Sequence, residues 1–147
     1  CRTVMQHSSS SGTTARLRTA RNVPGMTVTA VANLAVKVTD IDAAVAWYRD
    51  AGADVRGPED WEGARRADVT LGALRLTLFT RALYEDSVTL PQEGFLHAAM
   101  FTDDLDGDTR GLPVLWGPRI IRGPFGARRV AFIDAPGGIR LEYMEQL

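Results

Sequence analysis

The sequence predicts an α+β domain in which two βαβββ modules form a curved mixed sheet around a cavity. Three observations predict this fold. Similar segments recur in the same order at nearly one spacing, each copy has the pattern of a strand, a helix and further strands, and the strand residues alternate between apolar and polar side chains. A repeat of this length indicates a duplicated supersecondary unit whose copies pack together.

The repeat consists of three pairs of similar segments. The two members of each pair are separated by 63 to 65 residues: Asn33–Asp40 and His97–Asp104, Gly63–Arg66 and Gly126–Arg129, and Gly72–Phe79 and Gly137–Met144. The modules therefore extend over about residues 27–80 and 95–147, with residues 81–95 as the linker between them.

The first module begins with the alternating, Val- and Thr-rich run Thr27–Val38, which predicts a strand. Asp40 is a natural N-cap for the helix that follows, and Gly52 is a plausible stop. The helix has one apolar face at i, i+3, i+4 and i+7, made of Ile41, Ala44, Val45 and Tyr48. Alternating runs near Arg66–Thr70 and Leu74–Thr80 predict the next strands.

The second module is less regular. A short helix is predicted near Leu105–Arg110, and strands are predicted near Arg119–Arg122, Arg129–Ile133 and Ile139–Met144. Its last hairpin, at Asp134–Gly138, is longer than its counterpart in the first module, which accounts for the drift in spacing.

Residues 1–25 stand outside the repeat. They contain four arginines, a run of serines and no acidic residue, so we expect a disordered tail or an over-extended N-terminus before a single domain at 26–147. The same composition is also typical of an organelle transit peptide. Met26, directly before the first predicted strand, would be a sensible start of the domain.

Composition excludes several classes of protein. With 45% apolar and 24% charged residues, the chain is globular in character rather than wholly disordered. No apolar run approaches the roughly 20 residues of a membrane span. A net charge of −1 argues against a nucleic-acid partner, and the single cysteine gives secretion no support. We therefore expect a cytoplasmic protein with neither a nucleic acid nor a membrane as its partner.

Alternation assigns the strand residues to two faces of the sheet. The face that packs on the helices is predicted to hold Leu34, Val36, Val38, Leu74, Leu76, Leu78, Leu141 and Tyr143. The opposite face is predicted to hold Asn33, Ala35, Lys37, Arg75, Thr77, Phe79, His97, Ala99, Phe101, Arg140, Glu142 and Met144. A sheet with helices on one face and a mixed polar and aromatic set on the other often curls around a ligand.

Two segments carry a resemblance to a known family. Val38–Asp40 precedes the helical run Ala43–Tyr48, and Phe132–Gly137 leads into Leu141 and Glu142. With Ala135 inserted before the proline, the second segment resembles the Asp-Pro-x-Gly hairpin and terminal glutamate of the vicinal oxygen chelate superfamily. This superfamily includes glyoxalase I, extradiol dioxygenases, methylmalonyl-CoA epimerase, and fosfomycin- and bleomycin-resistance proteins. The resemblance covers about residues 30–147.

The resemblance implies four metal-ligand positions, at Asn33, Thr77, His97 and Glu142. His, Glu and Gln are the usual residues there, so this sequence keeps His97 and Glu142 and departs at the other two. Imidazole and carboxylate suit Zn, Fe, Mn or Ni, and the Asn33 carbonyl oxygen is a weak third donor. His97 is alternatively a hydrogen-bonded core residue, and Glu142 alternatively pairs with an arginine.

Five further residues are candidate substrate contacts. Arg75, Arg140 and Lys37 would receive an anionic group, because guanidinium and ammonium groups bind carboxylate and phosphate. Phe79 and Phe101 would line an apolar part of the site. The alternatives are ion pairs or solvent contact for the cations and core packing for the rings.

Two functions remain open from the sequence. The first is a divalent-metal-dependent lyase, isomerase or oxygenase of the glyoxalase/dioxygenase type, with His97 and Glu142 as catalytic residues. The second is a metal-free binding protein that sequesters a small molecule, as bleomycin-resistance proteins do. Metal-free proton transfer by His97 and Glu142 is a related possibility. The resemblance also implies a homodimer.

Overall fold

The computed structural model describes residues 27–147, which form eight strands, two α-helices and one short 3-10 helix. In chain order they are β1 Val28–Lys37, α1 Ile41–Asp50, β2 Asp54–Trp61, β3 Ala64–Leu71, β4 Leu74–Phe79, the 3-10 helix Glu85–Ser87, β5 Gly94–Thr102, α2 Leu105–Asp108, β6 Val114–Gly123, β7 Gly126–Ala135 and β8 Ile139–Gln146. The predictions for residues 1–25 lie outside the described residues.

All eight strands form one mixed sheet in the order β2-β3-β4-β1-β5-β8-β7-β6. Module 1 (β1 to β4 with α1) has β1 parallel to β4, and module 2 (β5 to β8 with α2) has β5 parallel to β8. The modules join within the chain through the antiparallel pair β1 and β5. The sheet curls into a half-barrel, which confirms the predicted fold class.

The two helices cover the convex face of the sheet. The Asp40 carboxylate accepts a hydrogen bond from the Ala43 backbone N–H, so it caps α1 as predicted. Ile41 and Val45 of α1 pack on the apolar side chains of module 1, and Leu105 of α2 packs on those of module 2. No helix in the part of the chain from 27 to 147 is long and apolar enough to cross a bilayer.

The concave face has its own core, shared by both modules. Its buried members are Ala35, Phe79, Ala82, Tyr84, Leu96, Ala99, Val130, Phe132 and Met144. The predicted assignment of residues to the two faces is confirmed for the helix-facing side chains Leu34, Val36, Val38, Leu76, Leu78, Leu141 and Tyr143. Leu74, at the start of β4, differs: it is 43% exposed and lies outside the cluster on which α1 packs.

Two sequence predictions need correction. The sequence does not predict the position of strand β2, because its Gly57-Pro58 step interrupts the alternating pattern. The predicted alignment of Gly63–Arg66 with Gly126–Arg129 is wrong by one residue. Arg65 binds Asp42 of α1 as Arg129 binds Asp106 of α2, and this makes Arg65 the structural equivalent of Arg129.

Each outer hairpin bends toward the concave face at a glycine bulge. The β2–β3 register shifts at Gly57, and the β6–β7 register shifts at Gly117. Both glycines have positive φ, +95° and +89°, and their α-carbons lie against the neighbouring strand. The hairpins then meet across the concave face, where a Cβ on Gly123 would lie 3.3 Å from Trp61 Nε1.

We predict that Gly117→Ala destabilises the fold more than Gly52→Ala. Both glycines have a φ of +89°, but an added Cβ at Gly52 meets nothing, whereas one at Gly117 meets the Val130 carbonyl oxygen. The left-handed conformation costs about 1–2 kcal/mol at either site, and the clash adds about 1–3 kcal/mol at Gly117. Urea denaturation of both variants measures the difference. Equal free energies of unfolding would contradict the bulge geometry.

Candidate functional site

His97 and Glu142 form a buried pair on the concave face. Glu142 of β8 lies opposite Ala99, the residue two positions after His97 on β5, so the two side chains meet diagonally. His97 Nε2 lies 3.1 Å from Glu142 Oε2, and His97 Nδ1 lies 2.9 Å from the Tyr84 hydroxyl. Both ring nitrogens are therefore engaged within the protein.

Aromatic side chains enclose this pair. The His97 ring lies 4.9 Å from Phe132 and 6.5 Å from Phe79, measured between ring centroids. The free space that His97 and Glu142 share with these rings and Trp61 is about 20 Å³. That volume holds about one water molecule, and His97 is only 4% exposed, so its ring offers almost no surface to a substrate.

Tyr84 closes the site from the linker between the modules. Its side chain is fully buried between His97 and Phe132, and the Arg140 guanidinium lies 4.6 Å from its ring centroid. Burial raises the pKa of Tyr84 to about 12, and the hydrogen bond and charge of Arg140 only partly oppose this shift. The hydroxyl is therefore neutral over the whole physiological range.

The donors at the four implied ligand positions do not complete a metal shell. The Thr77 hydroxyl donates a hydrogen bond to Asp68 at 3.0 Å. Asn33, which lies opposite Ala99 in the β1–β5 pair, lines a separate cavity. Within residues 27–147, no three His, Cys, Asp or Glu side chains are grouped as metal ligands. His97 and Glu142 supply two strong donors, whereas stable zinc sites use at least three protein ligands.

A larger cavity opens on the concave face of module 1. Its volume is about 310 Å³, and we call it the module-1 cavity. Its walls are Ala32, Asn33, Asp54, Arg56, Arg66, Asp68, Val69, Thr70, Arg75, Leu76, Thr77, Phe101, Phe125 and Arg128. The module-2 hairpin thus contributes to a cavity that is built mainly from module 1.

The predicted site residues are divided between three environments. Asn33, Arg75 and Phe101 line the module-1 cavity, and Phe79 lines the small space beside His97. The two remaining cations are engaged elsewhere. Lys37 is paired with Glu85 of the linker.

Arg140 is held by a carboxylate on the neighbouring strand. Its Nε donates to Asp134 Oδ1 at 2.7 Å, and neither Arg140 nor Lys37 lines the module-1 cavity. Glu142 forms its ion pair with His97 rather than with an arginine.

Sequence reasoning missed several residues of these sites, among them Arg66, Asp68, Tyr84 and Arg128. For Arg66 and Asp68 the signal was present, because alternation along β3 places them on the face opposite the buried Ala67 and Val69. Alternation along β7 places Arg128 on the face of Val130 and Phe132, but its approach to the module-1 cavity depends on the meeting of the hairpins. No sequence pattern indicated Tyr84, since its position depends on the path of the linker.

Comparisons with solved structures identify the family. No family model matches the sequence, and no curated protein matches it. Among solved structures, methylmalonyl-CoA epimerase from Mycobacterium tuberculosis has a TM-score of 0.64 at 24% identity, over 86% of this chain and 94% of that one. A methylmalonyl-CoA epimerase in complex with methylmalonyl-CoA and NH4+ has a TM-score of 0.60 at 30% identity, over 82% and 95%.

A metal-bound protein has a similar fold at lower identity. The Mn(II)-bound glyoxalase from Novosphingobium aromaticivorans has a TM-score of 0.52 at 19% identity, over 82% of this chain and 40% of that one. The 30% identity to the epimerase and the half-barrel of paired modules show that the chain belongs to the vicinal oxygen chelate superfamily.

We predict that Tyr84 makes the protein sensitive to alkaline pH. Its pKa of about 12 lies above the value of about 10 expected in the unfolded chain. The contribution of Tyr84 to the free energy of unfolding is complete below pH 10. It is lost as the pH rises from 10 to 12, because this tyrosine ionises at a lower pH in the unfolded chain than in the folded one. The free energy of unfolding should fall by about 3 kcal/mol over this interval.

Urea denaturation at pH 9 to 12 measures this fall. Tyr84→Phe should show a flatter profile than the native protein, whereas Tyr48→Phe, at a half-buried position of helix α1, should keep the decline. A decline of the same size in Tyr84→Phe would show that another group is responsible.

Proposed function

We propose that this chain is a small-molecule-binding member of the superfamily that takes an organic ligand into the module-1 cavity without a bound metal. One observation carries the proposal: a cavity of about 310 Å³ is open beside Asn33 and Thr77, whereas the free space beside His97 is only about 20 Å³. The volume lies at the lower end of the range for ligand sites, about 300–1,000 Å³.

The lining of the cavity supports a binding role. Ligand sites combine apolar and aromatic walls with a few polar groups that orient the ligand. Here Phe101 and Phe125 supply apolar surface, and the Asn33 amide and Arg75 guanidinium supply hydrogen-bonding groups. The Thr77 hydroxyl, which donates to Asp68, contributes to a polar wall.

A second candidate function is a metal-dependent lyase, isomerase or oxygenase, with a divalent ion such as Zn, Fe, Mn or Ni held by His97 and Glu142. Two observations favour it. The hydrogen bond between His97 Nδ1 and Tyr84 resembles the outer-shell contact that orients ligating histidines. The 30% identity is to an epimerase whose structure contains methylmalonyl-CoA, which makes an acyl thioester the substrate class to try first. The missing third donor weighs against this candidate.

The test is a thermal-shift screen of natural products and drug fragments, followed by calorimetry on each hit. We predict that Thr70→Trp, which fills the cavity from an exposed lining position, weakens binding at least about tenfold. Thr89→Trp, at an exposed linker position outside the cavity, should bind like the native protein. Hits that bind Thr70→Trp unchanged would refute the proposed site.

The metal content of the purified protein distinguishes the metal-dependent enzyme from the binding protein. The full chain is incubated with Mn, Fe, Ni or Zn and desalted, and its metal content is compared with that of His97→Ala. Near-stoichiometric metal that is lost in His97→Ala would favour the metal-dependent enzyme over the binding protein.

We further propose a cytoplasmic homodimer. Single-domain members of the superfamily often pair, and large apolar side chains on several elements of this chain are exposed: Val31 is 68% exposed, Trp47 64% and Ile120 56%. We predict a species of twice the 16.0 kDa chain mass in size-exclusion chromatography with multi-angle light scattering. A monomer over the whole concentration range would contradict this proposal.

A further inference from the structure

Arg128 is a half-buried cation that makes no salt bridge within residues 27–147, although the charges of Glu142 and Asp68 act on it through space. It projects from β7 into the module-1 cavity, where its guanidinium carbon lies 5.3 Å from the Phe101 ring centroid and 5.4 Å from that of Phe125. Its hydrogen bonds go to Gln146 Oε1 at 3.2 Å and, weakly, to Met144 Sδ at 3.6 Å. Burial of the guanidinium is costly and neither Glu142 nor Asp68 hydrogen-bonds to it, so an anion in the cavity that does so is favoured.

The other cations of the cavity are also incompletely neutralised. Its lining contains four arginines and only two aspartates. Arg66 pairs with Asp68, yet Arg66 Nε and Asp68 Oδ2 are buried with no hydrogen-bond partner in the described chain. Arg56 and Arg75 make no ion pair within residues 27–147. A concave surface with low-dielectric walls concentrates such a positive field on its contents.

Aromatic rings border the same cavity. Phe125 lies at the tip of the β6–β7 hairpin, is 49% exposed, and has the Arg56 guanidinium 5.2 Å from its centroid. Phe101 forms part of the floor on β5. Guanidinium groups that stack on rings keep their edges free for bidentate hydrogen bonds to a carboxylate. The cavity therefore offers an anion site directly beside apolar, flat surfaces.

We propose that the module-1 cavity binds a small aromatic carboxylate, with Arg128 as the main partner of the carboxylate and Phe101 and Phe125 against the ring. A cavity of about 310 Å³ suits a ligand of one or two rings. This inference rests on the proposed function, since it requires that the cavity binds a ligand.

The experiment is isothermal titration of the full chain with 2-naphthoate. Two further probes separate the contributions of the carboxylate and of the aromatic ring to the affinity. The first, 2-naphthamide, lacks the charge, and the second, cyclohexanecarboxylate, lacks the aromatic ring. We expect naphthoate to bind at least about tenfold more tightly than naphthamide, as charge-assisted hydrogen bonds to a guanidinium require. Its affinity should also fall as sodium chloride is raised.

Matched arginine variants locate the anion site. Arg128→Gln should weaken naphthoate binding at least about tenfold and leave naphthamide binding nearly unchanged. Arg122 lies on the neighbouring strand β6, at an exposed position outside the cavity, so Arg122→Gln should bind naphthoate like the native protein. Thermal denaturation of each variant verifies folding, and the comparison of naphthoate with naphthamide on the native chain does not depend on any variant.

The outcomes separate this inference from the function on which it rests. Equal binding of naphthoate and naphthamide, both blocked by Thr70→Trp, would overturn the anion site and leave a neutral-ligand cavity. Unchanged naphthoate affinity in Arg128→Gln would also overturn it. If neither the probes nor any compound of the screen responds to Thr70→Trp, the proposed function itself fails.

Discussion

The antiparallel pairing of β1 with β5 is the constraint on which the rest of the structure depends. It joins two four-stranded modules into one sheet and merges their inner faces into one concave surface. Its register sets Ala35 opposite His97 and Ala99 opposite Asn33. These two alanines are fully buried at the centre, where their small side chains let functional residues from both modules approach one another. A slip of one residue would turn all of these side chains to the helical face.

The two modules share a backbone plan and differ in what fills their inner faces. Thr77 of β4 lies opposite Asp68, and Glu142 of β8, in the equivalent position, lies opposite Phe132. The phenylalanine ring packs on His97 and fills module 2, whereas the aspartate holds Thr77 and Arg66 in a polar wall that leaves module 1 open. Near-symmetric duplication therefore produces one packed half and one half with a cavity.

Part of the candidate site was predictable, because strand alternation is a local property. The period of two assigned Asn33, Thr77, His97 and Glu142 to one face, and the structure has these residues on the concave surface. Alternation does not determine which of them touch. The direct contact of His97 with Glu142, and the closure by Tyr84, depend on curvature and on the path of the linker.

The sequence by itself determined the duplication, the strand and helix order, the Asp40 cap and the division into two faces, because each depends on residues near one another in the chain. Tertiary structure alone decided that the modules pair within one chain and that Arg128 of module 2 lines a cavity of module 1. The physical reason is that glycine bulges bend the outer hairpins until they meet across the sheet, and that meeting joins residues far apart in sequence.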